Sequence, residues 1–273
     1  MAECNHDCGS CGSNGSCSVQ DAEKEARVRA NTQGVKKVIG VVGGKGGVGK
    51  SLVTSLMAIQ TQRLGYKSAI LDADITGPSV PKIFGIDKFA EVDGESLIPH
   101  TTKNGIKVMS MNMLLQNDTD PVLWRGPVIS GVVKQFWEDV QWGDVDFLFV
   151  DMPPGTGDVP MTVFQSLPVD GILIVSTPQS LVSMIVQKAL KMAEMMNVPV
   201  LGMVENMRFI KCPDCGKEIS LFGNDDAVDS TAVMVLERIP LDPSVAASCD
   251  AGKLEDLNTD YLAQTAKVIT EAL

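Results

Sequence analysis

A short apolar run followed by a glycine-rich loop constrains the fold of this chain more than any other feature. The run VIGVV at 38–42 is typical of a buried strand, and the loop GGKGGVGKS at 43–51 contains G-x-x-x-x-G-K-[ST] from Gly44 to Ser51. Residues 51–64 then have the apolar spacing of a helix. Glycines allow backbone N–H groups to surround phosphate oxygens at the positive end of a helix. The sequence therefore predicts a strand–loop–helix unit that binds phosphate.

Apolar runs alternate with helical segments along the rest of the chain. Near-continuous apolar runs are typical of strands whose sheet is covered on both faces, and a repeated β-α-β order gives right-handed crossovers. Further strands are predicted at 69–72, 147–151, 171–176 and 200–206, and further helices at 128–140 and 180–196. We therefore predict an α/β fold with a doubly wound, mostly parallel sheet, whose ligands lie at the carboxyl ends of the strands.

The chain divides into two parts of unequal length. Residues 1–20 are rich in Cys, Gly, Ser and Asn and have almost no apolar side chains, so they cannot bury a core. Residues 21–33 contain helix formers of mixed charge and favour a short lead-in helix. We predict a flexible cysteine-rich tail with this helix over 1–33 and one phosphate-binding domain over 34–273.

The charge balance argues against a nucleic-acid partner. The chain has 34 acidic and 23 basic residues, a net charge of −11, whereas neutralising phosphates requires clustered Lys and Arg. No run approaches the roughly 20 apolar residues that span a bilayer, and residues 1–20 lack the basic and apolar regions of a signal peptide. We expect a cytoplasmic protein with no nucleic-acid and no membrane partner. Its seven cysteines are then expected to bind metal or act as redox groups.

Three acidic residues stand where predicted strands end. Asp72, Asp74 and Asp151 are therefore expected at the same edge of the sheet as the phosphate loop. Carboxylate oxygens suit Mg²⁺, Ser51 can also ligate it, and Lys50 can reach the terminal phosphates. A strand-end aspartate is also a common helix N-cap, so only the joint placement of the three favours a magnesium site.

A pair of cysteines lies in the second half of the chain, in a loop expected at about 208–223. The segment CPDCG places Cys212 and Cys215 in C-x-x-C spacing. The pair supplies two thiolates, whereas zinc and 4Fe-4S centres generally take four ligands, so the site is half complete in one chain. A two-fold dimer would complete it. Half of a zinc ribbon and a thioredoxin-like redox pair remain alternatives from spacing alone.

The remaining cysteines belong to the tail, apart from Cys249. The tail cysteines are Cys4, Cys8, Cys11 and Cys17, and His6 is a further possible ligand. This set predicts either a second 4Fe-4S site or a flexible zinc-binding tail. Cys249 stands alone and is expected to be a small buried hydrophobic residue.

Eight segments together resemble a known family. They are GKGGVGKS (44–51), DADITGPSVP (72–81), WRGP (124–127), FVDMPPGTGD (149–158), STPQ (176–179), VENM (204–207), CPDCG (212–216) and IPLDPSV (239–245). Over residues 36–260 this combination resembles the Mrp/ApbC/Nbp family of ATP-binding iron–sulfur cluster carriers. The early loop lysine, Lys45, is similar to that of the deviant Walker A group of P-loop NTPases (the SIMIBI type), which includes MinD and ParA.

The resemblance implies an ATP-hydrolysing homodimer. Cys212 and Cys215 of both subunits would hold a bridging 4Fe-4S cluster, which is received from an upstream scaffold and passed to apo iron–sulfur proteins. Slow ATP hydrolysis would be coupled to loading or transfer, with Lys45 reaching across the dimer, Asp74 positioning the attacking water and Asp151 holding Mg²⁺, to which Asp72 would be a further partner. The implied nucleotide contacts are Gly44, Lys45, Gly46, Gly47, Val48, Gly49, Lys50, Ser51, Asn206 and Pro240.

Some residues depart from the family pattern or have simpler explanations. Cys8, Cys11 and Cys17 resemble the N-terminal cluster motif of the eukaryotic cytosolic branch, but the spacing from Cys4 is much shorter. Met184 stands where many relatives have Asp, so no polar role is expected there. Without the family, Asn206 would be expected to cap a helix.

Two other functions of related ATPases fit less well. A MinD- or ParA-like positioning ATPase with a structural zinc site usually needs a basic amphipathic membrane helix or a basic DNA-binding face. Residues 260–273 have one lysine and two acidic residues, which does not match. An electron donor like the nitrogenase iron protein would use single separated cysteines from each subunit, unlike the pair at Cys212 and Cys215.

Overall fold

A large central sheet supports the whole domain. The computed structural model describes residues 30–74, 77, 79–87, 89–94, 96–114, 126–155, 158–178, 182–221 and 233–273. The described strands are β1 (Val35–Gly43), β2 (Ser68–Asp72), β3 (Glu91–Asp93), β4 (Ser96–Ile98), β5 (His100–Thr101), β6 (Lys107–Ser110), β7 (Val145–Asp151), β8 (Gly171–Ser176), β9 (Val200–Glu205), β10 (Phe209–Lys211), β11 (Glu218–Ser220) and β12 (Val235–Arg238). Eight of them form one sheet in the order β12-β9-β8-β1-β7-β2-β6-β5, and two pairs form separate hairpins.

Helices connect the strands of the large sheet. They are α1 (Lys50–Arg63), α2 (Val80–Ile83), α3 (Gly126–Asp139), α4 (Asp158–Ser166), α5 (Val182–Met195), α6 (Pro243–Asp250) and α7 (Ala263–Ala272), with 3₁₀ turns at Met111–Leu114 and Leu254–Asp256. Within the described part of the chain, no helix has the length and apolar character needed to cross a bilayer.

The strand order gives the sheet its doubly wound topology. From β12 to β6 neighbouring strands are parallel, and the short edge strand β5 runs antiparallel to β6. The strand β1 lies between β8 and β7, so the chain leaves the centre of the sheet in both directions. Ligands of such sheets bind at the carboxyl ends of the strands where the order reverses. The predicted mostly parallel α/β fold is confirmed, and the phosphate loop that follows β1 lies at this reversal point.

The apolar runs are continuous because both faces of the sheet are covered. On β1, Val38 and Val42 belong to one core cluster with residues of α3, whereas Ile39 and Val41 belong to the other with residues of α1. Alternate residues of a strand point to opposite faces, so both sets must be apolar. This burial explains why five strands and three helices were predicted close to their observed bounds.

Several short strands were missed by the sequence analysis. The strands β6 and β12 have four residues each and include Lys107 and Arg238, so they lack an apolar run. They pair at the outer part of the sheet, where neighbouring strands supply the hydrogen bonds. Short strands of this kind depend on tertiary context more than on local pattern.

The chain enters the sheet from a helical turn at residues 30–34. The side chain of Asn31 is buried, and its Nδ2 donates to the carbonyls of Trp137 (2.7 Å) and Val140 (2.8 Å). Its Oδ1 accepts the backbone N–H of Trp142 at 3.3 Å. These bonds fix the entry point at the amino end of β1. The cysteine-rich tail and most of the predicted lead-in helix, residues 1–29, lie outside the described residues.

Candidate functional site

The acidic residues at the strand ends lie next to one another. Asp72 at the end of β2 is the register partner of Asp151 at the end of β7, and Asp151 is in turn opposite Val41 of β1. The backbone N–H of Ala73 donates to the carbonyl of Asp151 at 2.9 Å, which continues the pairing past the strand ends. The carboxylates therefore stand beside the loop that leaves β1.

The loop lysine crosses back over the end of β1. A Cβ at Gly43 would lie 2.5 Å from Cγ and 2.6 Å from Cδ of Lys50, so the lysine stem needs a glycine at this position. Lys50 is 6% exposed, and its Nζ is 3.5 Å from Oδ2 of Asp74. The sequence analysis gave Gly43 no role, although its place directly before the loop motif is a usable signal. Lys45 lies in the same loop and is half-buried.

Asp151 has the features of a cation ligand. Its Oδ1 accepts the hydroxyl of Thr54 at 3.4 Å, and the Ser51 hydroxyl also donates to the carboxylate. Its buried Oδ2 has no hydrogen-bond partner among the described residues. Burial raises the pKa of Asp151 to about 6, although the positive charge of Lys50 opposes this shift. A buried carboxylate with one unpaired oxygen beside a serine hydroxyl fits Mg²⁺, which binds oxygen ligands.

Asp72 is used mainly by the protein itself. Its carboxylate accepts the backbone N–H groups of Asp74 (3.2 Å) and Val80 (3.3 Å) and the hydroxyl of Ser110 (3.2 Å). Burial, and next the negative charge of Asp151, raise its pKa well above the usual range. Asp72 thus holds the turn that carries Asp74 next to Lys50. A magnesium role for Asp72 stays a prediction.

The turn after β7 is tied to the phosphate loop. Met152 donates its backbone N–H to the carbonyl of Val41 at 3.2 Å, and Gly155 donates to that of Gly43 at 3.3 Å. Gly155 has a φ of 92°, a conformation that favours glycine. This turn is therefore bonded directly to the last residues of β1, where the loop begins. Residues 156–157 of the PPGTGD segment lie outside the described part.

Asn206 lies against the other side of the phosphate loop. It is 2% exposed, and its Nδ2 donates to the carbonyl of Val48 at 2.9 Å. Asn206 directly follows β9, and Pro240 lies beside the end of that strand. The neighbouring Ile239 donates its N–H to the carbonyl of Glu205, the last residue of β9, at 2.9 Å. The structure thus places both predicted nucleotide-contacting residues near the loop, and their contact with a base stays a prediction.

Two hydroxyl residues near the loop were missed by the sequence analysis. Thr54 lies one helical turn after Lys50 and bonds Asp151, as described above. Thr177 follows β8 and is 3% exposed, and its hydroxyl has no hydrogen-bond partner among the described residues. The signal for Thr54 was available, since residues four apart on a helix share a face.

The paired cysteines lie at the tip of a small hairpin. Its strands β10 and β11 pair Lys211 with Glu218, and the tip is closed by two bonds, from the N–H of Cys212 to the Lys217 carbonyl and from the N–H of Gly216 to the Cys212 carbonyl, both 2.9 Å. Cys215 is exposed and Cys212 is half-buried. The hairpin follows the end of β9, which is parallel to β8 and through it to β1. The hairpin therefore begins at the same edge of the sheet as the phosphate loop, the edge formed by the carboxyl ends of the strands.

The backbone of the tip favours a thiolate at Cys212. The N–H of Cys215, then that of Asp214, and next the Cys215 side chain donate to its sulfur, and these bonds lower the pKa of the Cys212 thiol. Thiolate is the form that binds metal. Within the ranges that the structure describes, no three His, Cys, Asp or Glu side chains are grouped so that they could hold a metal ion. The hairpin therefore presents two thiols, and the described part of one chain places no third side chain of this kind beside them.

Among the described residues, one further cysteine lies outside this hairpin. Cys249 in α6 is half-buried against the core cluster on the α1 side, and burial raises the pKa of its thiol, as expected for a structural residue. Met184 lies within α5. The residues Cys4, His6, Cys8, Cys11 and Cys17 lie outside the described residues.

Known structures share this architecture. A nucleotide-binding protein from Archaeoglobus fulgidus, solved in complex with ADP, superposes with a TM-score of 0.77 and is 39% identical, covering 87% of this chain and 95% of its own. The septum site-determining protein MinD from Pyrococcus horikoshii, solved with Mg-ADP, has a TM-score of 0.63 over 87% of this chain and 96% of its own. At 18% identity, MinD shows the shared fold alone.

Sequence comparisons identify the family. The "Iron-sulfur cluster carrier protein" of Clostridium perfringens is 43% identical over 260 residues, covering 91% of this chain and 90% of the relative. The protein of the same name from Methanocaldococcus jannaschii is 42% identical over 260 residues, covering 92% and 90%. A family model described as "ParA: NUBPL iron-transfer P-loop NTPase" matches residues 34–273. With a phosphate loop, a carboxylate at its side and a paired-cysteine hairpin on the same sheet edge, this chain belongs to the iron–sulfur cluster carrier family of P-loop NTPases.

Proposed function

We propose that this protein is an ATP-dependent carrier that binds a 4Fe-4S cluster between two copies of itself and passes it to apo-proteins. The observation that carries the proposal is the hairpin tip. It presents two thiols, Cys215 exposed and Cys212 half-buried, with a backbone that stabilises thiolate. A 4Fe-4S cluster takes four cysteine ligands, and two chains related by a two-fold axis supply four.

The nucleotide half of the proposal rests on the phosphate loop. The proposed contacts are those of residues 44–51 with the phosphates, and of Asn206 and Pro240 with the base. Ser51 and Asp151 would hold Mg²⁺, which neutralises charge on the phosphate oxygens when bound. Lys50 then stabilises the terminal phosphate, and Asp74, 3.5 Å from its Nζ, positions the attacking water. Lys45 is proposed to reach the nucleotide of the partner subunit.

Slow ATP hydrolysis is proposed to determine when the cluster is loaded or released. Nothing except ATP is broken down, so turnover need only match the delivery of cargo from an upstream scaffold to apo iron–sulfur proteins. The cytoplasm is the expected location, because reduced thiols persist there. The tail cysteines Cys4, Cys8, Cys11 and Cys17 are proposed to form a second cluster site.

The test is anaerobic reconstitution of the full chain with iron and sulfide. Iron, sulfide, visible absorption and dimer mass are measured on the wild type, on Cys212→Ala/Cys215→Ala and on Cys249→Ala as matched control. The double variant should lose about four iron atoms per dimer relative to the wild type, because four ligands hold one bridging cluster. The loaded wild type should transfer its cluster to an apo 4Fe-4S protein, and the Cys249→Ala variant should behave likewise.

Two results would overturn this function. Zinc bound at the hairpin without a brown chromophore would make the pair a structural clasp, and a positioning ATPase would then be the better interpretation. Equal iron content in the wild type and the double variant would place any cluster elsewhere in the chain.

A further inference from the structure

The phosphate loop and the cysteine hairpin are joined through one buried side chain. Asn206 follows β9, and its Nδ2 bonds the Val48 carbonyl at 2.9 Å. Its backbone N–H donates to the carbonyl of Ser176 at 2.7 Å, which holds the residue at the end of β8. A Cβ at Gly49 would lie only 2.2 Å from Nδ2, so the amide rests directly on the loop. Movement of the loop at Val48 must therefore displace Asn206 or break this bond.

The next residue has an unusual backbone. Met207 has a φ of 57°, in the left-handed region that non-glycine residues seldom adopt. Its N–H donates to Oδ1 of Asn206 at 2.9 Å. The Asn206 amide thus contacts the phosphate loop with its nitrogen and the backbone of Met207 with its oxygen. Strained residues of this kind persist where surrounding contacts hold them, and they are common at switches.

The hairpin begins immediately after this turn, and its base is held by the segment that follows β12. Arg208 donates its N–H to the Ile239 carbonyl at 3.1 Å, and Leu241 donates to the Phe209 carbonyl at 2.8 Å. The ends of β9 and β12 are joined by an ion pair. Nε of Arg238 is 2.6 Å from Oε2 of Glu205, and Glu205 is 1% exposed. The turn at 206–207 thus joins the side chain that contacts the loop to the first strand of the hairpin, and Ile239 is bonded to the residues on both sides of this turn.

We infer that Asn206 and Met207 are positioning residues that carry the state of the phosphate loop to the cysteine hairpin. Nucleotide on the loop shifts the Val48 carbonyl, Asn206 follows it, and the left-handed turn at Met207 rotates the base of the hairpin. Coupling between two sites is reciprocal, so a cluster on the hairpin also changes nucleotide affinity. This inference deepens the proposed function and rests on it only for the identity of the cargo.

The test uses the cluster-free full chain, so that it needs nucleotide binding alone. Hydrogen–deuterium exchange of amides in 209–220 is measured with and without saturating Mg-ADP and a Mg-bound non-hydrolysable ATP analogue. In the wild type at least one nucleotide should change the exchange rate of the hairpin amides by at least about fivefold, the lower end of typical coupling between sites.

A pair of variants at Met207 separates the turn from the side chain. Met207→Gly removes the preference of the turn for one conformation, since glycine adopts many, and should reduce the nucleotide effect on exchange to less than about twofold. Met207→Asn removes a similar part of the side chain but retains a residue that tolerates the left-handed region, and it should retain the wild-type effect. Both should bind nucleotide within about twofold of wild type, because Met207 is not among the proposed nucleotide contacts.

The outcomes distinguish this inference from the proposed function. An exchange rate that is unchanged by nucleotide in the wild type, or a full nucleotide effect in Met207→Gly, would overturn the inference. Iron reconstitution of the same variants tests the proposed function independently. If a cluster binds and is transferred although nucleotide does not change exchange in the hairpin, the proposed function holds and the coupling does not. A hairpin that responds to nucleotide but binds no cluster supports the coupling and overturns the carrier.

Discussion

The phosphate site and the cysteine hairpin differ in how much of each site the described part of one chain supplies. Around the phosphate loop, Lys50, Asp74 and Asp151 are buried and bonded to other parts of the same chain. At the hairpin tip, Cys215 is exposed, and the bonds to Cys212 come from residues 214–217 of the same turn. A buried site of this kind is preorganised before ligand binds, whereas the exposed pair would gain further ligands only through the proposed assembly of two chains.

This difference explains how the two functions can be changed separately. The phosphate site lies on the central strands, so it depends on the core. The hairpin β10–β11 is a two-stranded unit outside the large sheet, and isolated hairpins have little stability of their own. Changes at the loop should therefore alter ATP chemistry and stability together, whereas changes at the hairpin should alter cargo binding with little effect on stability.

The largest expected effect comes from Lys50→Ala. Loss of the buried ammonium beside Asp74 should lower kcat for ATP hydrolysis by at least about hundredfold, because fixed charge on the phosphates provides most of the catalysis. Iron content after reconstitution should stay near the wild-type value, since the hairpin is unchanged. Phosphate release and iron analysis measure the two, with Lys134→Ala on the surface of α3 as control. Turnover within a few-fold of wild type would remove Lys50 from its assigned role.

An intermediate effect is expected from Asp151→Asn in the nucleotide- and metal-free protein. The carboxylate is buried beside buried Asp72, and one of its oxygens has no hydrogen-bond partner among the described residues, so a neutral amide should raise the free energy of unfolding by about 1 kcal/mol. In a separate assay with added Mg-ATP, hydrolysis should fall as well, because the proposed magnesium ligand is gone. Urea denaturation measures the first effect and phosphate release the second.

A matched control for Asp151 lies at the other end of the same strand. Asp146 accepts hydrogen bonds from Nζ of Lys36 and from the backbone N–H of Lys67, both at 2.7 Å. Partial burial raises the pKa of Asp146, but these bonds outweigh it and lower the pKa. Asp146→Asn should therefore not raise stability. A loss of stability in Asp151→Asn as large as that in Asp146→Asn would show that the buried Asp151 carboxylate does not destabilise the ligand-free protein.

The smallest effect should come from the hairpin. Ile219 on β11 is 46% exposed, and Ile219→Ala should change the free energy of unfolding by less than about 0.5 kcal/mol. Ile174 on β8 is fully buried, and Ile174→Ala should cost about 2–5 kcal/mol. Urea midpoints at equal denaturant dependence give both values. Similar losses at the two positions would mean that the hairpin is part of the core, and the contrast between the regions would fail.

The central strands were predictable because burial on both faces leaves an apolar run, as in β1 and β8. The short strands β6 and β12 were not, because the hydrogen bonds of neighbours create them. The edge strand β5 has only two residues and runs antiparallel to β6, and nothing in those two residues predicts this direction.

The site was predictable where a motif fixes spacing and unpredictable where contacts are long-range. The loop motif identified Lys50 and Ser51 from the sequence. The bond from Asn206 to Val48 joins residues 158 positions apart, and no local pattern reports it. The positive φ of Met207 was also unpredictable from the sequence, because methionine does not favour a left-handed turn. The place of Gly43 directly before the loop motif was a signal, but its role became clear only from the stem of Lys50, which passes over it.

The anchor at Asn31 sets the length of the route between the two groups of cysteines. It holds the start of β1, whose nine residues span about 30 Å, whereas the hairpin lies beyond the opposite edge of the sheet. The stretch from Cys17 to Ala30 can reach at most about 45 Å when fully extended. The point at which the tail joins the domain therefore lies about 30 Å along the strand direction from the end of the sheet that carries Cys212.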